Sequence, residues 1–212
     1  MSIFISLEGP DGSGKSTQAA VLAERLRARG HDVCLTREPG GTFIGDQIRA
    51  VLHDLKNTAM QPRAEILLYS ASRAQLVGEV IRPHLGRGGT VVCDRYADST
   101  LAYQGYGHGL DLDALRTITR FATGSLTPDL TLLLDLEVEA GLRRRKAGGE
   151  WNRLDAYDLD FHRRVRQGYW ELAQAEPRRW IVVPAEAGVE ALTERIWEAV
   201  AARLEVRSRS EK

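Results

Sequence analysis

Gly9-Pro10-Asp11-Gly12-Ser13-Gly14-Lys15-Ser16 is the stretch of this 212-residue chain whose residue types and spacing most directly prescribe chemistry. It has the form G-x-x-x-x-G-K-[ST]. It sits directly after the apolar run Ile3-Phe4-Ile5-Ser6-Leu7 and directly before a helix-period segment. The glycines let main-chain N–H groups turn inward around phosphate oxygens, and the helix N-terminus adds partial positive charge. Lys15 can reach the β- and γ-phosphates of a nucleoside triphosphate, and the Ser16 hydroxyl can ligate Mg²⁺. Thr17, next along the chain, completes this phosphate-binding set. A glycine-rich turn with no ligand is the bland alternative, and the strand-to-helix placement argues against it.

Such a loop alone does not separate kinases from GTPases, motors or regulators. The Asn-Lys-x-Asp signature of guanine readers is absent from the sequence. Two aspartates at strand ends are candidates for the metal-linked carboxylate. Asp135 follows Leu132-Leu133-Leu134; Asp94 follows Val91-Val92-Cys93 and adjoins Arg95. Asp94 is preferred, because Arg95 beside it could hold an acceptor phosphate next to the metal. Asp135 reads rather as a helix cap at a strand end.

The elements that must position these residues follow from hydrophobic periodicity. Strands are expected at Ile3 to Leu7, Asp32 to Thr36, Thr90 to Cys93, Leu130 to Leu134 and Trp180 to Val183. Helices are expected over about Lys15 to Arg29, Ile44 to Leu55, Arg63 to Leu85, Ala156 to Ala175 and Val189 to Leu204, and flanking Gly105 to Gly109. Short apolar strands separated by helices specify an α/β domain with a parallel sheet covered on both faces. Residues 1–206 read as one domain, and 207–212 as a frayed polar tail.

Composition narrows the class. The 43% hydrophobic and 27% charged content is that of a globular protein, and Lys+Arg balance Asp+Glu at 29 each. No global field therefore points to nucleic acid or a membrane surface. Apolar runs of five or six residues fall far short of a membrane span, and the N-terminus lacks the features of a signal peptide, so a cytoplasmic location is expected. Cys34 and Cys93 each lie in a strand-like run and read as buried reduced thiols; the five histidines have no metal-ligand spacing.

Four further segments carry a family resemblance. They are Thr36-Arg37-Glu38-Pro39-Gly40-Gly41-Thr42, Asp94-Arg95-Tyr96, Ser99-Thr100-Leu101-Ala102-Tyr103-Gln104, and the basic stretch around Arg143 to Arg153. With the phosphate loop they resemble the thymidylate kinases over residues 9 to about 153. The resemblance implies a three-layer P-loop kinase fold with a five-stranded parallel sheet, helices on both faces and a lid over about 143–153. It implies transfer of the γ-phosphate of ATP to dTMP, with Mg²⁺, and a homodimer formed through helices that include the Arg63 to Leu85 segment.

Two anionic nucleotides repel each other, and an acceptor phosphate already ionised near neutral pH needs little general-base help. Catalysis is then mostly alignment and charge neutralisation. The resemblance places Arg49 and Arg95 at the dTMP phosphate, with Arg37 and Glu38 organising the same corner or simply forming an ion pair. It turns Asp11 toward the sugar 3′-hydroxyl and nearby arginines. Tyr69 and Arg73 stand at i and i+4 and share a helix face; by resemblance Tyr69 lies over the thymine ring and Arg73 at its carbonyl edge. The same resemblance implies that Thr100 and Gln104 read the base edge, that Tyr103 crowds C2′ and disfavours ribose, and that Ser99 belongs to the same substrate-binding set.

Arg143-Arg144-Arg145-Lys146 precedes Ala147-Gly148-Gly149, with Arg153 beyond. The glycines form a plausible hinge, and a closing loop that excludes water suits phosphoryl transfer. Gly12-Ser13 place no arginine in the phosphate loop, which resembles the bacterial type that supplies arginine from the lid. Relatives of that type often carry an arginine directly before the Gly-Glu pair, whereas Gly148 precedes Gly149-Glu150 here. Arg143, Arg145, Lys146 and Arg153 are therefore all candidates to meet the transferring phosphate, with Arg153 and Arg143 preferred. A kinase for another pyrimidine nucleoside or monophosphate is the alternative among enzymes. A catalytically silent nucleotide switch is the alternative outside them, and the intact Lys15, Ser16, Asp94 and Arg95 argue against it.

Overall fold

The computed structural model describes residues 2–148 and 151–210, with side chains as far as Val206. Among the described residues five strands form one parallel sheet in the order β2-β3-β1-β4-β5. They are β1 (Ile3–Glu8), β2 (Val33–Arg37), β3 (Thr90–Asp94), β4 (Leu130–Asp135) and β5 (Trp180–Pro184). Each ends one residue later than its apolar pattern suggests, because hydrophobicity does not mark the last residue of a strand. Those last residues include Glu8, Arg37, Asp94 and Asp135. In register, Leu7 and Arg37 both pair with Asp94 from opposite sides, so β1, β2 and β3 end on a common level. Ligands of open α/β sheets bind at that edge.

Alternation along each strand divides the core. Ile3, Ile5, Leu7, Leu132 and Leu134 face one layer, where they pack with Leu22 and Leu26 of α1 (Lys15–Arg27) and Ile196 and Val200 of the C-terminal helix. Phe4, Val91 and Cys93 face the other layer, against Leu76, Ile81 and Tyr96; Leu133 joins Phe161, Val165 and Tyr169 there. A fully buried strand leucine such as Leu132 costs ~2–5 kcal/mol to truncate to alanine.

The helices have local causes. Helix α2 (Phe43–His53) begins where the Thr42 hydroxyl accepts the Gly45 N–H at 3.0 Å, and α3 (Pro62–Leu76) opens with proline at its first position. The long helix expected over Arg63 to Leu85 is interrupted. After α3 the chain widens into a π-turn at Val77–Ile81 before α4 (Arg82–Gly86), next to Pro83, which has no N–H to donate. Helix α5 (Ala97–Thr100) likewise passes into a π-helical stretch, Leu101–Gly107. Helix α6 (Leu112–Thr123) is capped by Asp111 and closed by Gly124 at φ 56°. Helix α7 (Val138–Gly148) is the basic segment, and Gly148 is its last residue. Gly149 and Glu150, the rest of the expected hinge, lie outside the described residues.

A short 3₁₀ turn, Leu154–Ala156, precedes α8 (Leu159–Ala175), so that helix begins three residues later than expected. Asp158 accepts the Phe161 N–H at 2.6 Å and sets its start. Helix α9 (Val189–Ser210) runs past Leu204, so the tail expected to fray from Arg207 is helical backbone as far as Ser210. Among the described residues no helix is long and apolar enough to cross a membrane. Cys34 and Cys93 are unpaired; Cys93 is buried and Cys34 only half-buried.

Candidate active site

A cleft of about 380 Å³ opens at the carboxyl edge of the sheet. Its walls come from the phosphate loop and α1, from the ends of β2 and β3, and from α2, α3, α5 and the C-terminal part of α7.

The phosphate loop is shaped by close backbone approach. Gly12 has φ 76°, and a Cβ there would strike the Gly141 carbonyl of α7. A side chain at Gly141 would in turn strike the Asp11 carbonyl. The phosphate loop and α7 meet glycine to glycine, which leaves no room for an arginine at position 12. Lys15 donates to the Pro10 carbonyl at 2.7 Å and the Ser13 hydroxyl at 3.2 Å. Burial, with Arg95 nearby, brings the Lys15 pKa down to about 8.

Asp94 is joined to this loop. The Ser16 hydroxyl donates to Asp94 Oδ2 at 2.5 Å, which sets a hydroxyl and a carboxylate side by side at the mouth of the cleft. These are hard oxygen donors of the kind that take one or two positions on Mg²⁺ and leave the rest to phosphate and water. Asp135, the other candidate, is engaged elsewhere: Arg166 of α8 grips it through two hydrogen bonds of 2.8 and 2.9 Å.

Arg95 is tightly constrained. Its φ of 67° lies in the left-handed region, a strain of order 1–3 kcal/mol for a residue with a side chain. The backbone is pinned there by Arg95 N–H to the Leu7 carbonyl (2.9 Å) and by the Cys93 thiol donating to the Arg95 carbonyl. The guanidinium donates to the Gly9 carbonyl, Ser99, Tyr169, Asp11 and Tyr103. Burial opposes its charge, but Tyr103, Asp11 and Tyr169 around it hold the pKa well above the ordinary arginine value. Burial likewise works to raise the Asp11 pKa, yet Arg95, Lys15 and the Tyr103 hydroxyl hold it well below the carboxylate range.

Behind Arg95 lies Glu8, fully buried. One carboxylate oxygen accepts the Tyr96 N–H at 2.7 Å; the other accepts from Ser99 (2.6 Å) and Tyr169 (3.0 Å). Burial and the charge of Asp98 push its pKa up to about 7. Sequence reasoning passed over Glu8 and Tyr169. A glutamate ending an apolar strand and a tyrosine on a helix carry no pattern signal.

The corner built by Arg37, Glu38, Arg49 and Arg73 differs from the simple neighbouring pair. Arg37 bonds Asp46 at 3.2 Å, whereas Glu38 pairs with Arg73 at 2.7 Å, and both members of that second pair are buried. Arg73 also donates to the Thr100 hydroxyl (3.0 Å) and the Tyr96 carbonyl (3.2 Å). Glu38, desolvated and only partly compensated by Arg73, has its pKa pushed up to about 7. Arg49 donates to the Pro39 carbonyl at 3.0 Å, and burial together with the neighbouring Arg37 charge lowers its pKa. Two cations crowded in this way favour a bound dianion.

Tyr69, Arg73, Thr100, Tyr103 and Gln104 line the far end, so every acceptor-side residue expected from the sequence borders one cleft. From the phosphate loop Asp11, Gly12, Gly14, Lys15, Ser16 and Thr17 border it, while Gly9, Pro10 and Ser13 lie behind. The lid is distributed otherwise than expected. Arg144 and Arg145 reach the cleft, but Arg143 is exposed outside the lining, and Arg153 is buried against Glu65. His53 also lines the cleft, its imidazole held neutral by burial and Arg49, with a pKa near 4.

A family model described as thymidylate kinase matches residues 7–196. The chain is 57% identical to a thymidylate kinase of Roseiflexus sp. strain RS-1 over 208 residues, 92% of each chain. It is 57% identical to one of Deinococcus radiodurans, over 95% of this chain and 97% of that one. A crystal structure of thymidylate kinase from Ehrlichia chaffeensis superimposes with TM-score 0.79 at 31% identity, covering 94% of this chain and 98% of that chain. The chain belongs to the thymidylate kinase family.

Proposed function

We propose that the cleft is where this nucleotide kinase holds ATP on the Gly9–Thr17 loop and dTMP against Arg37, Arg49 and Arg95. The reaction passes the γ-phosphate of ATP to dTMP, giving dTDP and ADP. The observation that carries this assignment is the confluence of Lys15 and Ser16 with Arg95 and Arg49 on one cleft, bridged by the Ser16–Asp94 hydrogen bond.

Lys15 and the loop amides bind the donor phosphates. Arg95, held in plane by its protein acceptors, and Arg49 beside Arg37 bind and orient the acceptor phosphate. The acceptor oxygen is ionised, so the residues supply alignment and charge neutralisation and no proton acceptor is needed. Ser16 and Asp94 would hold Mg²⁺, which would supply positive charge against the charge that develops on the phosphates. Tyr69 stacks the base, Arg73 and Thr100 meet its edge with Gln104, Tyr103 with Asp11 closes on the sugar, and Ser99 steadies Arg95. Of the lid cations, Arg145 and Arg144 are the better candidates to meet the transferring phosphate, because they line the cleft and Arg143 and Arg153 do not.

Phe43, Val51, Leu67 and Phe121 leave large apolar surface exposed on α2, α3 and α6, helices that pack through α3. This supports a homodimer through that face; the even balance of 29 basic and 29 acidic residues supports a cytoplasmic enzyme without a nucleic-acid or membrane partner. A steady-state panel with MgATP tests the acceptor. Turnover of dTMP well above dCMP and thymidine is expected; efficient use of either with dTMP untouched would overturn it.

A further inference from the structure

Glu65 lies in the first turn of α3, 1% exposed, and each of its carboxylate oxygens has a different task. Oε1 accepts the Gln104 side-chain N–H at 2.7 Å, while Oε2 accepts from the Arg153 guanidinium. His108 Nε2 stands 3.4 Å from Oε1. Burial works to raise the Glu65 pKa, but His108, Arg153 and Gln104 outweigh it and hold the carboxyl below its ordinary value.

Arg153 spends its remaining nitrogens on structure. Nε donates to the Leu52 carbonyl near the end of α2 (3.1 Å), and Nη1 donates to the Tyr157 hydroxyl (2.8 Å). It therefore pins the turn after the lid to α2 and α3 together. That same turn carries Asp155, 2% exposed, which accepts from Arg145 at 3.1 and 2.7 Å and from the Asn152 N–H at 2.9 Å. Arg145 lines the cleft close enough to Asp11 to help hold that carboxylate ionised. Buried contacts thus lead from Gln104 through Glu65 to Arg153, and the turn that Arg153 anchors carries Asp155, which holds a lid arginine.

We propose that Glu65 is a positioning residue that fixes lid Arg145 over the transferring phosphate, through Arg153 and Asp155, and ties that placement to the acceptor pocket through Gln104. The proposal rests on the reading of Gln104 as a nucleobase neighbour and of Arg145 as a phosphate neighbour. Each oxygen of Glu65 serves one end of the run, so Glu65→Gln can cut one end and spare the other. The new amide oxygen still accepts from Gln104, whereas its NH₂ cannot accept from a guanidinium.

The test is steady-state kinetics and dTMP calorimetry on full-length Glu65→Gln, Arg145→Ala and the double variant. Glu65→Gln is expected to lower kcat at least tenfold while the dTMP Kd stays within about threefold. The double variant is expected to be no slower than Arg145→Ala alone, because both changes remove one function. A role in folding alone would lower the melting temperature without this non-additivity. Unchanged kcat in Glu65→Gln, or rate losses that multiply in the double variant, would overturn the proposal. Should Glu65→Gln not fold, Arg153→Lys replaces it, since lysine reaches Glu65 but not Leu52 and Tyr157 together; the same cycle with Arg145→Ala decides. Gln104→Ala separates the underlying reading. An unchanged dTMP Kd there removes Gln104 from the base site, whatever the outcome of the kinetic cycle.

Discussion

Arg95 Nη2 lies 2.7 Å from Asp11 Oδ1, so a residue just past β3 and a carboxylate inside the phosphate loop share charge across the cleft. The Tyr103 hydroxyl donates to the other Asp11 oxygen at 2.5 Å, which completes a triangle. The phosphate loop is thereby locked to the two residues proposed to meet the acceptor phosphate and sugar. Three hydrogen bonds thus tie the proposed donor and acceptor halves of the site together, an arrangement that favours near-attack alignment.

Arg95→Lys is expected to reduce kcat/KM for dTMP roughly 100-fold, about 2.7 kcal/mol of transition-state binding. Lysine keeps the charge but cannot serve five acceptors in one plane. Kinetics of the variant beside a thermal melt check this; a loss below about threefold would show that charge alone suffices.

Lys15→Ala is expected to abolish measurable transfer while stability changes by no more than about 1 kcal/mol, since only two loop hydrogen bonds are lost. Calorimetric unfolding and a coupled assay make the comparison. A variant that retains a tenth of the activity would contradict the role given to this side chain.

Arg73→Ala should do more than weaken dTMP binding. It leaves the buried Glu38 carboxylate without its partner, which costs ~3–5 kcal/mol when one half of a buried pair is removed. Denaturant melts of Arg73→Ala, Glu38→Gln and the double variant provide the check. The double variant is expected to be more stable than the sum of the two single losses implies, and simple additivity would count against the pairing.

Stability should depend on pH in a stated direction. The Glu8 and Glu38 pKa values rise from 4.5 to about 7 in the folded state, so the folded chain binds more protons than the unfolded chain between those values. Their contribution is present in full below pH 4.5 and is lost as pH rises through about 7, on the order of 3 kcal/mol per group at most. Melting temperatures of the ligand-free chain should fall across that window. Glu8→Gln should shrink the fall, and an unchanged slope would show that Glu8 is ionised throughout.

Asp94→Asn is expected to raise the Mg²⁺ concentration needed for half-maximal rate at least tenfold and to lower kcat. The amide still accepts the Ser16 hydroxyl but offers the ion no negative charge. A Mg²⁺ titration at saturating nucleotides reads this directly. An unaltered titration curve would move the metal away from Asp94.

The sheet was legible because β1, β3 and β4 are buried on both faces and so read as unbroken apolar runs. The phosphate loop and the residues from Asp94 to Gln104 were legible for another reason: spacing along one segment is kept when that segment folds. Partner choice was not. Glu38 stands beside Arg37 in the chain but pairs with Arg73, 35 residues away, because β2 delivers its end to the side of α3. Arg153 reads as one more lid cation until Glu65 is seen opposite it. Glu65 itself, in the first turn of a helix, looks like an ordinary carboxylate favoured by the helix dipole. The break at Val77–Ile81 was hidden because a π-turn leaves the apolar pattern nearly intact.

A crystal structure with dTMP and a non-hydrolysable ATP analogue tests the central claim most directly. The account predicts the dTMP phosphate within hydrogen-bond distance of Arg95, the thymine over Tyr69, and the γ-phosphate at Lys15. Thymidylate lodged away from the Asp94–Gln104 segment, with those arginines still bonded only to protein, would contradict it.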